Sequence, residues 1–388
     1  MVAYRSARLF RSVRVHFLSI AAGSRLGQGE EKVLRYERDG LVLVTGGAGF
    51  IGSNLVAHYL SKGRRVRVFD NLSRAGTEKN LRWLQSLDNP GLETVIGDVR
   101  DFAELRRAAA DADVVFHLAS QVGVTNSLSD PRYDFEVNAL GTFNLLEAAR
   151  QSGRWPAVVF ASTNKVYGSM ERAGVELGGS GYQYRSLPQG VSEDWPLDFH
   201  SPYGCSKGAG DQYVRDYARI YGLPTVVLRQ SCIYGPHQWG NEDQGWVTHF
   251  ALSAMFGVPL TIYGDGNQVR DVLHVDDLVA VYDLAVERIE TTRGKVYNIG
   301  GGAHNAISLR WLVSFLGRGL DRPVPVGYGE WRPGDQKVYV SDIRRATSDL
   351  GWTPGISAWR GIERHLRWLQ ANRDLFIWIE DRARISIG

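Results

Sequence analysis

The sequence predicts an α/β protein: a doubly wound parallel sheet with a smaller lobe built from insertions between its elements. Three observations carry that expectation. Short apolar, β-prone segments alternate with segments of helical periodicity from residue 41 to residue 229. Several of these segments are apolar almost throughout, as strands covered on both faces are. The first of them runs straight into a glycine-punctuated turn.

Taken in order, residues 41–44 form a strand ending at Thr45, and Gly46, Gly49 and Gly52 mark the turn into a helix over residues 53–60. Backbone N–H groups and a helix N-terminus converging on one point suit a pyrophosphate, and glycine lets the backbone approach it closely. Phe50 and Ile51 lie inside that turn. A second strand, 65–69, ends in Asp70, about 20 residues beyond the turn, where a dinucleotide fold places the acid that holds the adenosine ribose. Asn71 follows it. The acid repels a 2′-phosphate and so favours NAD over NADP, with Arg74 a few residues on as the contrary sign.

A third strand, 93–97, delivers Asp98 and Val99 to the ligand crevice, where Asp98 is a candidate for the adenine amine and Asp101 the better cap for the helix from Phe102. A fourth, 113–118, exits through Ala119-Ser120-Gln121, small enough to let a nicotinamide or ribose pass, so Leu118, Ala119 and Gln121 join the cofactor set. The helix over 132–150 carries Asn138 and Gly141, poor helix formers that need a tertiary reason. The fifth strand is 157–162, a helix with Ser201 as cap and Pro202 in its first turn spans 201–221, and the sixth strand is 225–229.

Long insertions interrupt this alternation at 169–199, 230–266 and 300–354. The expected division is an N-terminal extension at 1–40, an NAD-binding domain from 41–168, 201–232 and 268–300, a substrate lobe from 169–200, 233–267 and 301–376, and a tail at 377–388. The extension places Arg5, Arg8, Arg11, Arg14 and Arg25 ahead of the first acid, Glu30. Such a start resembles an organelle transit peptide; a disordered extension or a misplaced start codon is the preferred reading.

The 388 residues, 44% hydrophobic, can bury a sizeable core. The net charge of +3 is small, and with no basic stripe it argues against nucleic acid. Cys205 and Cys232 lack metal-ligand spacing and fit a reducing, cytoplasmic setting with no bound metal. No apolar run approaches the length of about 18 residues that spans a bilayer.

Tyr203 and Lys207 lie four apart on one helix and share a face. Bringing a phenol from near 10 to about 7 takes roughly 4 kcal/mol, which an ammonium one turn away and a cationic nicotinamide can supply together. Tyr203 is then a candidate acid and base. At the end of the fifth strand, Thr163 is the candidate hydroxyl for the same substrate oxygen, with Ser162 the runner-up.

The glycine turn, Asp70, Asp98, the Ser/Thr strand end and the Tyr203/Lys207 pair together resemble the extended short-chain dehydrogenase/reductase family of nucleotide-sugar enzymes, over residues 41 to about 369. The resemblance implies a Rossmann domain, bound NAD and a nucleotide-sugar substrate, with Asn138 and Ser162 added to the cofactor set. Sugar 4,6-dehydratases of this family place an Asp-Glu pair after the Thr, since elimination needs an acid and a base. Here Asn164 and Lys165 stand there. The runs 162–168, 200–208 and 243–246 resemble the CDP-paratose 2-epimerases, also called CDP-tyvelose epimerases. That likeness implies transient oxidation at C2 and hydride return to the opposite face, with Tyr203 as acid and base, Thr163 holding the oxygen and Lys207 tuning Tyr203 and binding the nicotinamide ribose.

It also implies Arg270 and Arg332 on the diphosphate, Asp335 on the nucleotide ribose and Gln244 near the substrate. Cys232 departs from the Asn found in many galactose epimerases. A homodimer or higher homo-oligomer is implied, through the helices around Asn138 and Asp211. Two other enzyme readings stay open, a UDP-sugar 4-epimerase and a nucleotide-sugar reductase. A noncatalytic NAD-binding protein would have no use for Tyr203 and Lys207.

Overall fold

In the computed structural model, which describes residues 40–332 and 335–379, the alternating apolar segments form one seven-stranded parallel sheet. Its strands are β1 (Leu41–Thr45), β2 (Arg65–Asp70), β3 (Leu92–Ile96), β4 (Ala112–His117), β5 (Ala157–Thr163), β6 (Thr225–Gln230) and β7 (Val296–Ile299). The spatial order is β7-β6-β5-β4-β1-β2-β3. The chain winds outward from β1 to β3, returns to start β4 on the other side of β1, and winds outward again. That reversal leaves a crevice beyond the C-terminal ends of β1 and β4, the place where open α/β sheets bind ligands.

Alternation along β1 explains the two buried layers. Val42 and Val44 pack on one face with Leu55 and Val56 of the helix Phe50–Ser61 and Tyr282 of the helix Val275–Glu287. Leu43 points to the other face, among Leu105, Leu145 and Val214. The expected doubly wound α/β fold is therefore present, with each of the six strands read from the sequence within a residue or two of its bounds and β7 a seventh that the sequence reading did not name.

The two unfavourable residues in the helix over 132–150 have their tertiary reasons. The helical run breaks into Pro131–Phe135, a π turn Glu136–Leu140 and Gly141–Gln151, and Asn138 lies in the π turn, a feature that favours functional sites. A Cβ on Gly141 would stand 2.6 Å from Val99 Cγ2, so the glycine lets this helix close onto the segment after β3. His200, and not Ser201, stands in the cap position of the helix Ser201–Tyr221, while the Ser201 Oγ accepts from the Gly204 N–H at 3.2 Å within its first turn.

The smaller lobe differs from expectation in one respect. The strand Val269–His274, grouped by sequence with the NAD-binding segments, pairs instead with Cys232–Tyr234, Ala306–Ser308 and Val338–Tyr339 in a separate small sheet. A second core, with Phe250, Ile262, Leu312 and Ile362, lies beneath that lobe. Asn138 and Asp211, the residues around which a subunit contact was expected, are buried within the chain. The neighbouring Phe135, Phe143, Tyr213 and Ile220 are among the exposed apolar side chains of those helices. The extension at 1–39 and residues 380–388 of the tail lie outside the described residues. No described helix is long and apolar enough to cross a membrane.

Candidate active site

A cleft of about 1090 Å³ begins at the glycine turn, passes the ends of β4 and β5 and opens into the small lobe. At its first end, Gly46 has φ +69 and its N–H donates to Phe69 O at 2.8 Å, which folds the turn back onto β2. A Cβ on Gly52 would lie 2.1 Å from Gly46 O, and one on Gly46 would lie 2.6 Å from Ala119 N. The turn thus leaves room only for glycine where helix, turn and β4 meet. Asp70 ends β2 and accepts from the N–H groups of Ala48 (3.0 Å) and Leu72 (2.9 Å), so the acid and the glycine turn form one unit. Burial raises the Asp70 pKa and those N–H groups pull it back down. Phe50, Ile51, Asn71, Asp98, Val99, Leu118 and Ala119 line the same half. Asp98 is gripped by Arg100 through Nε at 3.0 Å and by Asn71 Nδ2 at 2.9 Å. Asp101, as expected, caps the helix Phe102–Ala109 by accepting from the Glu104 N–H.

The reaction centre lies where β5 ends. Tyr203, Lys207, Ser162 and Thr163 all face the cleft, and the Thr163 hydroxyl, which donates to Asn164 Oδ1 at 3.4 Å, lies near enough to the Tyr203 phenol to lower its pKa. Ser162 donates instead to Asp211 Oδ2 at 2.8 Å, which separates the two strand-end hydroxyls that the sequence left in competition. The Lys207 ammonium sits 4.3 Å from the Phe160 ring centroid in a buried position. Burial pushes its pKa down to about 7, opposed by Asp211 and Asp134. The Tyr203 phenol is pushed up to about 12 by burial, with Thr163 and Arg74 pulling it down and Asp134 pushing it further up. Burial thus acts on both groups, raising the Tyr203 pKa and lowering that of Lys207. Arg74, read in the sequence as a possible 2′-phosphate ligand, interacts along the cleft with Tyr203.

At the lobe end, Arg270 is buried and donates to Asp335 Oδ1 at 2.8 Å and to Gln336 O at 2.6 Å. Arg332 lies over the Tyr263 ring at 4.1 Å and donates to Glu242 Oε1 at 3.2 Å, with Asp243 Oδ1 at 3.6 Å. Gln244 and Cys232 also line this half. Both arginines expected to meet a diphosphate are thus present in the cleft, each facing a carboxylate of the chain itself.

Two expected cofactor residues stand behind the wall and not in it. Asn138 Oδ1 accepts from the Gln121 N–H at 2.9 Å and from Ser120 Oγ at 2.8 Å, while its Nδ2 donates to Gln121 O and Ser206 Oγ. The Gln121 amide donates to Gly123 O and to Asp134 Oδ1. Their polar groups are consumed in shaping the exit of β4, so neither faces the cleft.

Residues 42–300 match the model of the NAD dependent epimerase/dehydratase family. The chain belongs to that family. It is 44% identical to the CDP-paratose 2-epimerase of Salmonella typhi over 84% of this chain and 98% of that one. It is 36% identical to the dTDP-glucose 4,6-dehydratase of Streptomyces antibioticus over 86% and 93%. Among solved structures, the UDP-glucose 4-epimerase of Thermus thermophilus in complex with NAD matches with a TM-score of 0.72 at 33% identity, covering 85% of this chain and 99% of that one. NAD is the cofactor of the family, and the cradle that only glycine permits, joined to a ribose-facing acid, fits it.

Family membership points attention to groups the sequence reading passed over. Arg229 and Asp211 form a buried bidentate ion pair at 2.8 and 2.9 Å beneath β5, and Asp211 also receives Ser162. His117, at the end of β4, shares hydrogen bonds with Thr45 Oγ1 (2.7 Å) and Thr142 Oγ1 (3.1 Å), and burial first, then Lys207, lowers its pKa to about 3, so it stays neutral. No local spacing signals these partners, which lie on different strands and helices. Their common effect is to fix the strand ends from below.

Proposed function

We propose that this family member epimerises C2 of a CDP-linked dideoxyhexose, interconverting CDP-paratose and CDP-tyvelose. The observation that carries the reading is the meeting of Thr163 and Tyr203 in the cleft at the end of β5, followed by Asn164 and Lys165 with no acid-base carboxylate pair. The 44% identity to a CDP-paratose 2-epimerase over nearly its whole length supports the choice of sugar.

When bound, NAD supplies a reversible hydride store, so that the sugar carbon is oxidised to a ketone and reduced again from its other face. Tyr203 takes the hydroxyl proton in the first half and returns it in the second. Thr163 holds the reacting oxygen through its own hydroxyl. Lys207 would hold the nicotinamide ribose and, when charged, favours the phenolate. Gly46, Gly49, Phe50, Ile51 and Gly52 surround the pyrophosphate, Asp70 and Asn71 the adenosine ribose, and Asp98 and Val99 the adenine. Leu118, Ala119 and Ser162 border the nicotinamide. Arg270 and Arg332 clamp the diphosphate after parting from Asp335 and Glu242, which leaves Asp335 free for the nucleotide ribose and Gln244 beside the substrate. The apolar outer faces of helices 131–151 and 201–221, with Phe143 and Tyr213 in edge contact at 6.0 Å, are the proposed homo-oligomer contact.

The test is turnover of CDP-paratose in deuterated water. The product is expected to carry no solvent deuterium at C2, because the hydrogen leaves and returns as hydride. Deuterium at C2 overturns the redox route, and faster turnover of UDP-glucose than of CDP-paratose overturns the choice of substrate.

A further inference from the structure

Lys165 lines the cleft and has no task in the chemistry above. It sits on the single turn Asn164–Tyr167 that follows β5, and its backbone N–H donates to Thr163 Oγ1 at 3.2 Å. Its position is therefore tied to the hydroxyl of the reaction centre. The same turn is also tied to the lobe end: Gln336 Nε2 donates to Gly168 O, Gln336 O accepts from Arg270, and Arg270, Asp335 and Cys232 line the cleft together with Lys165. Asp335 Oδ1 already accepts from Arg270 and from the Gln336 N–H. Two cations, Lys165 and Arg270, thus line one end of the cleft with a single carboxylate, Asp335, already engaged by Arg270, and burial, then Arg270, pushes the Lys165 pKa down. Such an arrangement is unfavourable until an anion arrives between the two cations. The point lies between the hydroxyls that meet the sugar and the arginine that meets the diphosphate, which is where the phosphate next to the sugar must lie.

We propose that Lys165, together with Arg270, binds the sugar-proximal phosphate of the nucleotide sugar and so sets the fixed point about which the sugar turns between oxidation and reduction. The inference rests on the nucleotide-sugar reading above. An epimerase of this kind has to release one face of the ring and present the other without losing the nucleotide. A cation on the phosphate beside the rotating bond holds the nucleotide while leaving the sugar free. Lys165 is a positioning residue in this scheme, with Tyr203 and Thr163 at the reacting atoms.

The test compares nucleoside diphosphates with the matching monophosphates, since the terminal phosphate of the diphosphate occupies the sugar-proximal place. Affinities of NAD-loaded protein for CDP and CMP, UDP and UMP, and dTDP and dTMP are measured by calorimetry, and the pair bound best by the wild type is used. In Lys165→Met the preference for diphosphate over monophosphate is expected to fall by about tenfold or more, the size of one lost charge-assisted hydrogen bond, with monophosphate affinity unchanged. Lys165→Arg is expected to restore most of it. If Lys165→Met does not retain NAD, Lys165→Gln, which keeps a polar head, serves in the same comparison. An unchanged preference in a variant that retains NAD overturns the inference. A wild type that binds the uridine or thymidine pair best overturns the cytidine reading and leaves the Lys165 comparison intact.

Discussion

The two halves of the cleft are held in different ways. The glycine-turn half is assembled by the register of adjacent parallel strands: Thr45 pairs with Phe69 and with His117, and Asp70 is bonded to the turn it serves. Its polar groups are satisfied by backbone and by buried side chains, so it needs no ligand to keep its shape. In the lobe half, Arg270 and Arg332 come from separate segments and are held by Asp335, Glu242 and Asp243. If the two arginines clamp the diphosphate as proposed, those carboxylates occupy the place the substrate would take. One half is built to retain its ligand and the other to exchange it, as an enzyme that regenerates its cofactor each cycle requires.

The largest expected effect belongs to the centre between the halves. Tyr203→Phe should lower kcat by about 10²–10⁴-fold, the usual worth of a positioned proton-transfer group, while bound NAD and the melting temperature stay near wild type. Undiminished turnover would remove Tyr203 from the chemistry and leave the cleft without its acid and base. Next comes Gly52→Ala. The added Cβ meets the Gly46 carbonyl oxygen at 2.1 Å, a backbone atom that cannot retreat without opening the turn. Overpacking of this kind costs about 1–3 kcal/mol, and the protein should purify with little NAD and melt earlier. Normal NAD content in Gly52→Ala would show that the turn yields, and the contrast with the lobe half would weaken.

The same contrast governs how much could be read from the residues. The cofactor half was legible because its parts lie within one β-α-β unit, where short-range spacing fixes geometry. The glycine turn and Asp70 are joined in space as they are in sequence. Gln121 and Asn138 show the limit: Gln121 was readable at the exit of β4 and Asn138 as a helix position needing a tertiary reason, but the direction of their side chains depends on Asp134 and Ser206. The strand 269–274 was grouped with the wrong sheet because a short strand buried at every residue has no exposed face to tell which sheet it joins. Its partners 306–308 and 338–339 are three and two residues long, too short for a period. Arg74 sharing the cleft with Tyr203 and the Arg229–Asp211 pair are long-range outcomes with no local signature.

Arg332→Met sharpens the comparison from the lobe side. Removing one arm of the diphosphate clamp should raise KM for the nucleotide sugar by about tenfold or more, the size of a lost charge-assisted contact. NAD content and kcat should hold, since Arg332 touches neither β5 nor the glycine turn. Loss of NAD in this variant would show that the two halves are not independent.

The smallest effect is the most direct probe of exchange. Glu242 accepts from Arg332 at 3.2 Å and also from the Tyr263 hydroxyl, and the pair is substantially exposed. Exposed pairs of this kind are worth about 0.2–1 kcal/mol. If Glu242 stands in for the diphosphate, Glu242→Gln removes a competing charge while keeping an acceptor for Tyr263, and KM should fall by up to a few-fold. Because the competition is between exposed charges, the advantage of the variant should shrink as salt is raised. A higher KM in Glu242→Gln would give the opposite answer: Glu242 would then hold Arg332 in its working position, and the lobe half, like the cofactor half, would be formed before its ligand arrives.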